Sequence, residues 1–209
     1  MARGVFITFE GGEGAGKSTQ AARLAQRLRA GGRVALATRE PGGSTGAEAI
    51  RTLLVTGDTD RWSATAETLL MYAARFDHIE RVIGPALARG DIVICDRFAD
   101  STRAYQGEGG GANSSLIDTL ERETRVLCWP DLTLVFDLPP DEGLRRASGR
   151  AEGETRFEAR DLAFHTRLRE AFLAIAGADP GRCRVIDATA DEASVDAAVW
   201  KAVSRCLGR

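Results

Sequence analysis

No two cysteines in this chain stand at C-x-x-C spacing. Cys95, Cys128, Cys183 and Cys206 are widely scattered, which removes the common redox and metal-binding patterns, and Cys95 sits in an apolar run that reads as a reduced core thiol. No charge of one sign dominates: 28 Lys+Arg stand against 30 Asp+Glu, for a formal net charge of −2. Composition therefore calls for neither a nucleic-acid nor an anionic-membrane partner, although local arginine clusters can still bind phosphate. No apolar stretch approaches the ~18 residues of a membrane span, and no charged-then-apolar leader opens the chain. The expectation is a soluble, cytoplasmic protein with no membrane partner. Internal repeats and low-complexity linkers are also missing. What remains, 209 residues with 44% hydrophobic content, suits one compact α/β domain over residues 1–209.

The most specific feature present is Gly11-Gly12-Glu13-Gly14-Ala15-Gly16-Lys17-Ser18, which matches G-x-x-x-x-G-K-[ST]. It follows the apolar run Val5–Phe9 and opens an amphipathic segment from Ser18 to Arg29, the strand–loop–helix context that the motif requires. Four glycines let backbone N–H groups turn toward an anion, with the helix N-terminus behind them. Gly11 through Thr19 thus read as a site for ATP phosphates. Lys17 can reach the β/γ-phosphates, and Ser18 can ligate Mg²⁺.

Apolar runs recur at Val5–Phe9, Val34–Ala37, Ile92–Cys95, Leu132–Phe136 and Arg184–Ile186, separated by helix-like stretches. This alternation predicts a three-layer α/β/α fold of P-loop NTPase type around a parallel five-stranded sheet. Ligands then belong at the carboxyl ends of the strands. The chemistry-bearing residues fall there: the glycine loop, Arg39-Glu40-Pro41-Gly42-Gly43, Asp96-Arg97 and Asp137. The loop Gln106–Gly111, with four glycines, is expected to be flexible. Residues 145–157, rich in arginine and small residues between two helices, read as a mobile lid over phosphates.

A GTPase would need N-K-x-D and D-x-x-G, and neither occurs. A nucleic-acid ATPase would bring a basic track or an acidic pair after the third strand; here that strand ends Asp96-Arg97. A small kinase acting on a second anionic ligand fits better, because it needs arginines near the strand ends. Which acceptor it uses, or whether it is a non-catalytic P-loop sensor, stays open on these residues alone.

Longer segments carry a resemblance. Asp96-Arg97-Phe98-Ala99-Asp100-Ser101-Thr102-Arg103-Ala104-Tyr105-Gln106 resembles the D-R-[YH]-x-x-S-x-x-A-Y-Q segment of thymidylate (dTMP) kinases. Thr38-Arg39-Glu40-Pro41-Gly42-Gly43 is similar to the T-R-E-P-G-G loop of their bacterial members, and Phe9–Thr19 to their P-loop. Pro130–Asp137 and Ile186–Thr189 resemble their later strands. The resemblance runs over nearly the whole chain and implies transfer of the ATP γ-phosphate to dTMP, giving dTDP and ADP in dTTP biosynthesis, with Mg²⁺.

It also implies residue roles. Lys17 holds the donor phosphates, and Ser18 and Asp96 hold Mg²⁺. Arg97 reaches the acceptor phosphate, and Arg39 is a second clamp. Arg75 bonds the thymine edge near Ser101 and Thr102. Tyr105 packs beneath the sugar, Glu13 approaches its 3′-hydroxyl, and Arg51 falls nearby. Met71 occupies the place of the usual stacking Phe, and Phe98 that of Tyr or His. Some members carry an arginine where this chain has Gly14. Members with glycine there place cations in the lid, so Arg150 and Arg156 are expected to reach the transferring phosphoryl group. Arg145 and Arg146 flank the adenine or cap a helix. Homodimers form through helices in this family, for which Thr65–Ile83 has the apolar residues. His78 and His165 are expected at the surface or an interface, and Trp62, Trp129 and Trp200 as packing anchors.

Overall fold

The computed structural model describes residues 3–148 and 156–208. Five parallel strands, β1 (Val5–Gly11), β2 (Ala35–Arg39), β3 (Ile92–Asp96), β4 (Leu132–Asp137) and β5 (Cys183–Asp187), form one sheet in the order β2-β3-β1-β4-β5. Each contains or overlaps one of the apolar runs, because β-branched and aromatic residues buried on both faces are what a parallel sheet requires.

Side chains alternate between faces along a strand. Ile7 and Phe9 of β1, Ile92 and Ile94 of β3, and Leu132, Leu134 and Phe136 of β4 point to one face. There they pack against α1 (Lys17–Ala30) and α9 (Glu192–Leu207). In α1 the buried set Gln20, Ala21, Leu24, Ala25 and Leu28 is the 3.6-residue stripe expected of the amphipathic segment. Phe6, Val93 and Cys95 point to the other face, against a π-helical turn (Ile79–Ile83) and the short helix α4 (Gly84–Ala88). Val135 also points that way, against α8 (Leu162–Ala178). Two helices, α2 (Thr45–Val55) and α3 (Ala64–His78), lie between β2 and that π-helical turn. Beyond β3 come α5 (Ala99–Thr102), a second π-helical segment (Arg103–Gly109) and α6 (Ser114–Leu127). Between β4 and α8 lies α7 (Pro140–Ser148).

Register decides where the site forms. Phe9 and Arg39 both pair with Asp96, Gly11 pairs with Phe136, and Asp137 with Asp187, so the strand ends lie along one edge of the sheet. The glycines after Gln106 are ordered rather than loose. Ala104, Tyr105 and Gln106 are buried, a side chain at Gly109 would meet Phe164 at 2.7 Å, and one at Gly110 would meet the Gln106 carbonyl at 2.9 Å. Close packing, and not freedom of motion, accounts for glycine at those two positions.

Candidate active site

The phosphate loop owes its shape to two close backbone approaches. Gly11 ends β1 at φ 132°, and a Cβ there would lie 2.5 Å from the Phe136 carbonyl oxygen. Gly14, at φ 68°, faces Gly143 of α7, whose carbonyl oxygen would lie 2.1 Å from an added Cβ. Here the loop has no room for a side chain. Gly16, at φ 85°, turns the chain into α1, so the loop amides and the helix N-terminus face the same space. Lys17 is 7% exposed, and its Nζ donates to the Gly12 carbonyl at 2.6 Å. Burial, with Arg97 nearby, pulls its pKa down to about 8 against the attraction of Glu13, Asp96 and Glu10.

Next to the loop, the Ser18 hydroxyl donates to Asp96 Oδ2. The other Asp96 oxygen, Oδ1, is buried and finds no partner among the described residues. A hydroxyl beside a carboxylate with a spare oxygen is a hard-oxygen donor set that suits Mg²⁺. Arg97 is the one non-glycine residue with positive φ (70°) among those described, a costly backbone state that commonly marks functional positions. Its Nη1 donates to Gly11 O at 2.9 Å, its Nη2 donates to Glu13 Oε1 at 2.9 Å, and its guanidinium lies 4.8 Å from the Tyr105 ring centroid. Tyr105 donates its hydroxyl to the same Glu13 oxygen at 2.6 Å. Burial pushes the Glu13 pKa up, but Arg97, Lys17 and the Tyr105 hydroxyl overcome it and hold the carboxyl at about 2. Beneath Arg97, Glu10 is fully buried and accepts from the Phe98 N–H at 2.8 Å and the Ser101 hydroxyl at 2.5 Å. Burial first, then Asp100, raises the Glu10 pKa to about 8.

A cavity of about 680 Å³ opens from this edge, lined by all nine residues expected on the acceptor side: Glu13, Arg39, Arg51, Met71, Arg75, Arg97, Ser101, Thr102 and Tyr105. Glu13 through Ser18 of the phosphate loop line it as well. Gly11 and Gly12 sit behind, and Thr19 is exposed on the first turn of α1. Arg75, on α3, is 2% exposed and tightly held. Its Nε donates to Glu40 Oε2 at 2.8 Å, and its Nη2 donates to Phe98 O at 3.1 Å and Thr102 Oγ1 at 2.9 Å. Its Nη1 is buried without a partner among the described residues. Burial opposes the charge on Arg75, yet Glu40 more than offsets this and raises the pKa. Arg39 pairs with Glu48 at 3.2 Å and is half-exposed, while Arg51 donates to the Pro41 carbonyl at 2.5 Å.

Several expectations need correction. His78 is not a surface group: it is fully buried, with Nδ1 3.1 Å from Glu40 Oε1 and Nε2 2.8 Å from Thr38 Oγ1. His165 is buried too, edge-on to Phe164. Arg156 does not reach the phosphate loop. It is 3% exposed and donates to the carbonyls of Leu54, Asp58 and Thr59 at 3.1, 2.9 and 3.0 Å. It also forms an ion pair with Glu67 at 2.5 Å. Arg150 lies outside the described residues. Arg146 donates to the Ala188 carbonyl at 3.1 Å and pairs with Glu142 at 2.6 Å, while Arg145 is exposed near Glu142. Glu40, Glu10, Gln106 and Phe157 belong to the site, and on the sequence alone none of them is assigned a role in it. The only signal for Glu40 was its place at a strand end, and it stood there beside an arginine that pairs elsewhere.

The thymidylate kinase family model matches residues 9–199. The thymidylate kinase of Caulobacter vibrioides is 61% identical over 208 residues, covering 100% of both chains. That of Dinoroseobacter shibae is 57% identical over 196 residues, covering 94% of each. A crystal structure of thymidylate kinase from Ehrlichia chaffeensis superimposes with a TM-score of 0.76 at 36% identity, covering 96% of this chain and 99% of that one. The phosphate loop, the Asp96-Arg97 strand end and the arginine-bearing cavity therefore sit in a chain that belongs to the thymidylate kinase family.

Proposed function

We propose that the cavity holds dTMP with its phosphate toward Arg97 and its base toward Arg75, so that the ATP γ-phosphate passes to it and yields dTDP and ADP. One observation carries this reading. Beside the phosphate loop the cavity is lined by Lys17 and Arg97, with the carboxylates of Glu13 and Asp96 next to them, and its wall also carries a buried, paired arginine, Arg75, whose Nη1 keeps both of its N–H groups without a partner among the described residues. A pyrimidine carbonyl would satisfy that donor. The cytosine amino group at the same place would set donor against donor, which leaves both unpaired and is strongly disfavoured. Met71, 9% exposed on the same wall, offers a polarizable thioether to the ring face. Tyr105, held by Glu13, would close the sugar pocket.

Phosphoryl transfer demands in-line placement and charge neutralisation more than covalent help. Lys17 and the loop amides bind the donor phosphates, and Arg97 holds the acceptor phosphate. Arg39 and Arg51 supply further positive charge at the rim. Ser18 and Asp96 are the residues that would hold Mg²⁺, which spreads the charge developing between donor β- and γ-oxygens when bound. The enzyme works in the cytoplasm as a homodimer; Thr65, Leu69 and Ala73 are exposed in a row on α3, a spacing that offers one helix face to a second copy.

A coupled assay of ADP release with dTMP, dUMP, dCMP and AMP tests the substrate assignment. The thymine methyl is worth roughly 1 kcal/mol or more in an apolar pocket, so dUMP should trail dTMP by about tenfold. dCMP and AMP should be worse still. Equal turnover of dCMP would end the base-reading role of Arg75.

A further inference from the structure

We propose that Arg156 and Glu67 form a buried clasp that holds the acceptor wall of the cavity in shape, which makes Arg156 a positioning residue for dTMP and not a contact of the transferring phosphoryl group. The reasoning begins at the end of α2. That helix closes on Leu54 and Val55, has no basic residue in its last turn, and passes into an extended Thr56. Its final carbonyls need donors that the helix itself cannot supply. Arg156, about a hundred residues away in the chain, serves one of them and two carbonyls of the loop that follows: Nη1 donates to Leu54 O at 3.1 Å, Nε to Asp58 O at 2.9 Å, and Nη2 to Thr59 O at 3.0 Å. Cationic donors at a helix C-terminus also complement its dipole.

The fourth partner, Glu67 Oε2 at 2.5 Å, lies in the first turn of α3, and its other oxygen accepts from Gln106 Nε2 at 2.8 Å. Arg156, Glu67 and Gln106 are all buried. The clasp therefore joins three segments, and each carries part of the acceptor wall: α2 carries Arg51, α3 carries Met71 and Arg75, and the 103–109 segment carries Tyr105. Arg156 itself does not line the cavity, but the next residue, Phe157, does and stands edge-on to Tyr105 with ring centroids 5.5 Å apart. To touch a phosphate, Arg156 would have to abandon three carbonyls and strand the buried Glu67 carboxylate.

This inference rests on the placement of dTMP against Met71 and Arg75, and the test separates the two. Initial rates are measured with ATP and dTMP varied independently for Arg156→Met, Arg156→Lys, Glu67→Gln, Arg156→Met/Glu67→Met and Arg75→Met. The clasp predicts that Arg156→Met and Glu67→Gln raise KM for dTMP about tenfold or more, while kcat and KM for ATP change only a few-fold. Arg156→Lys should not rescue the enzyme, because one ammonium cannot serve acceptors spread around a planar fork. The double variant should lose less than the two single losses combined. A fall in kcat of about 10³-fold with KM for dTMP unchanged would overturn the clasp and return Arg156 to the phosphoryl group. So would a lowered Tm with both KM values unmoved, which would leave only a structural brace. If Arg156→Met does not fold, Glu67→Gln decides alone, by whether KM for dTMP rises. If Arg75→Met leaves KM for dTMP unchanged, the acceptor placement itself falls; if Arg75→Met raises it and the clasp variants do not, the clasp alone falls.

Discussion

Raising the pH from 7.5 to 9 should make ATP binding consume a proton. Lys17 in the free enzyme has its pKa pulled from 10.5 to about 8 by burial and by Arg97, more than Glu13, Asp96 and Glu10 can restore. At pH 9 such a group is about ten-to-one neutral, whereas at pH 7.5 about a quarter of the molecules carry the neutral form. Triphosphate oxygens at Nζ restore the ammonium, so binding takes up close to one proton at pH 9 and far less at pH 7.5. Affinity should fall about tenfold per pH unit above 8. Calorimetric titration in two buffers of contrasting ionisation heat reads the proton count directly. At both pH values the nucleotide phosphates are already ionised.

Glu10, raised to about 8 by burial and Asp100, titrates in the same range, so the experiment is repeated with Glu10→Gln to isolate Lys17. Stability carries the opposite sign. The folded pKa of Lys17 lies below the unfolded one, so between pH 8 and 10.5 the unfolded chain holds a proton that the folded chain has lost. This group alone adds stability across that window, about 3 kcal/mol when complete. Cys95, Cys128 and Cys183, all raised by burial, oppose it above pH 9, which is why binding is the cleaner readout. Equal proton uptake at pH 7.5 and 9 in the Glu10→Gln enzyme would mean that Lys17 stays charged throughout, and the burial argument would be wrong.

Glu40→Gln leaves the buried Arg75 cation without its counter-charge, a loss of about 3–5 kcal/mol. Differential scanning calorimetry should show Tm lower by roughly 6–20 °C for a domain of this size, and a change within 2 °C would refute the pairing. Met71→Phe restores offset aromatic contact with the base, so KM for dTMP should fall about two- to tenfold; an unchanged or higher value removes Met71 from the base pocket. Gly143→Ala lies outside the phosphate loop, yet its Cβ would stand 2.5 Å from the Glu13 carbonyl oxygen. KM for ATP should therefore rise about tenfold or more, as overpacking of 1–3 kcal/mol displaces the loop, and near-normal ATP kinetics would show that the contact can relax.

The first layer of the site was legible because two independent signals coincide there. Each strand is an apolar run, and in a parallel sheet every such run ends on the same edge. Periodicity alone thus places Arg39, Asp96 and Asp137, and the register aligns Asp96 with Phe9 and Arg39. Glycine was more ambiguous. At Gly14 it answers a backbone approach from α7, and at Gly109 an aromatic ring from α8. Both partners lie far away in the chain, so the glycines after Gln106 read as a flexible loop when they are a packing surface.

The second layer was not legible, and the reason is distance along the chain. Glu40 and His78 are 38 residues apart, and Arg156 and Leu54 are 102 apart. Periodicity reports only which face of an element is buried, never what meets it there. His78 illustrates the limit. Its position matches the buried face of α3, shared with Met71 and Arg75, so burial could have been inferred from spacing at i+4 and i+7 from Met71. What spacing could not supply is Glu40, which arrives from β2 and bonds His78 through one oxygen and Arg75 through the other. A histidine in that place orients the carboxylate that orients Arg75, the arginine proposed to read the base. Replacing His78 with Gln should therefore act on KM for dTMP through Arg75, and the effect should vanish in an Arg75→Met background, because a relay has nothing left to position once its last member is gone. A full, additive loss in that background would show instead that His78 acts on folding alone.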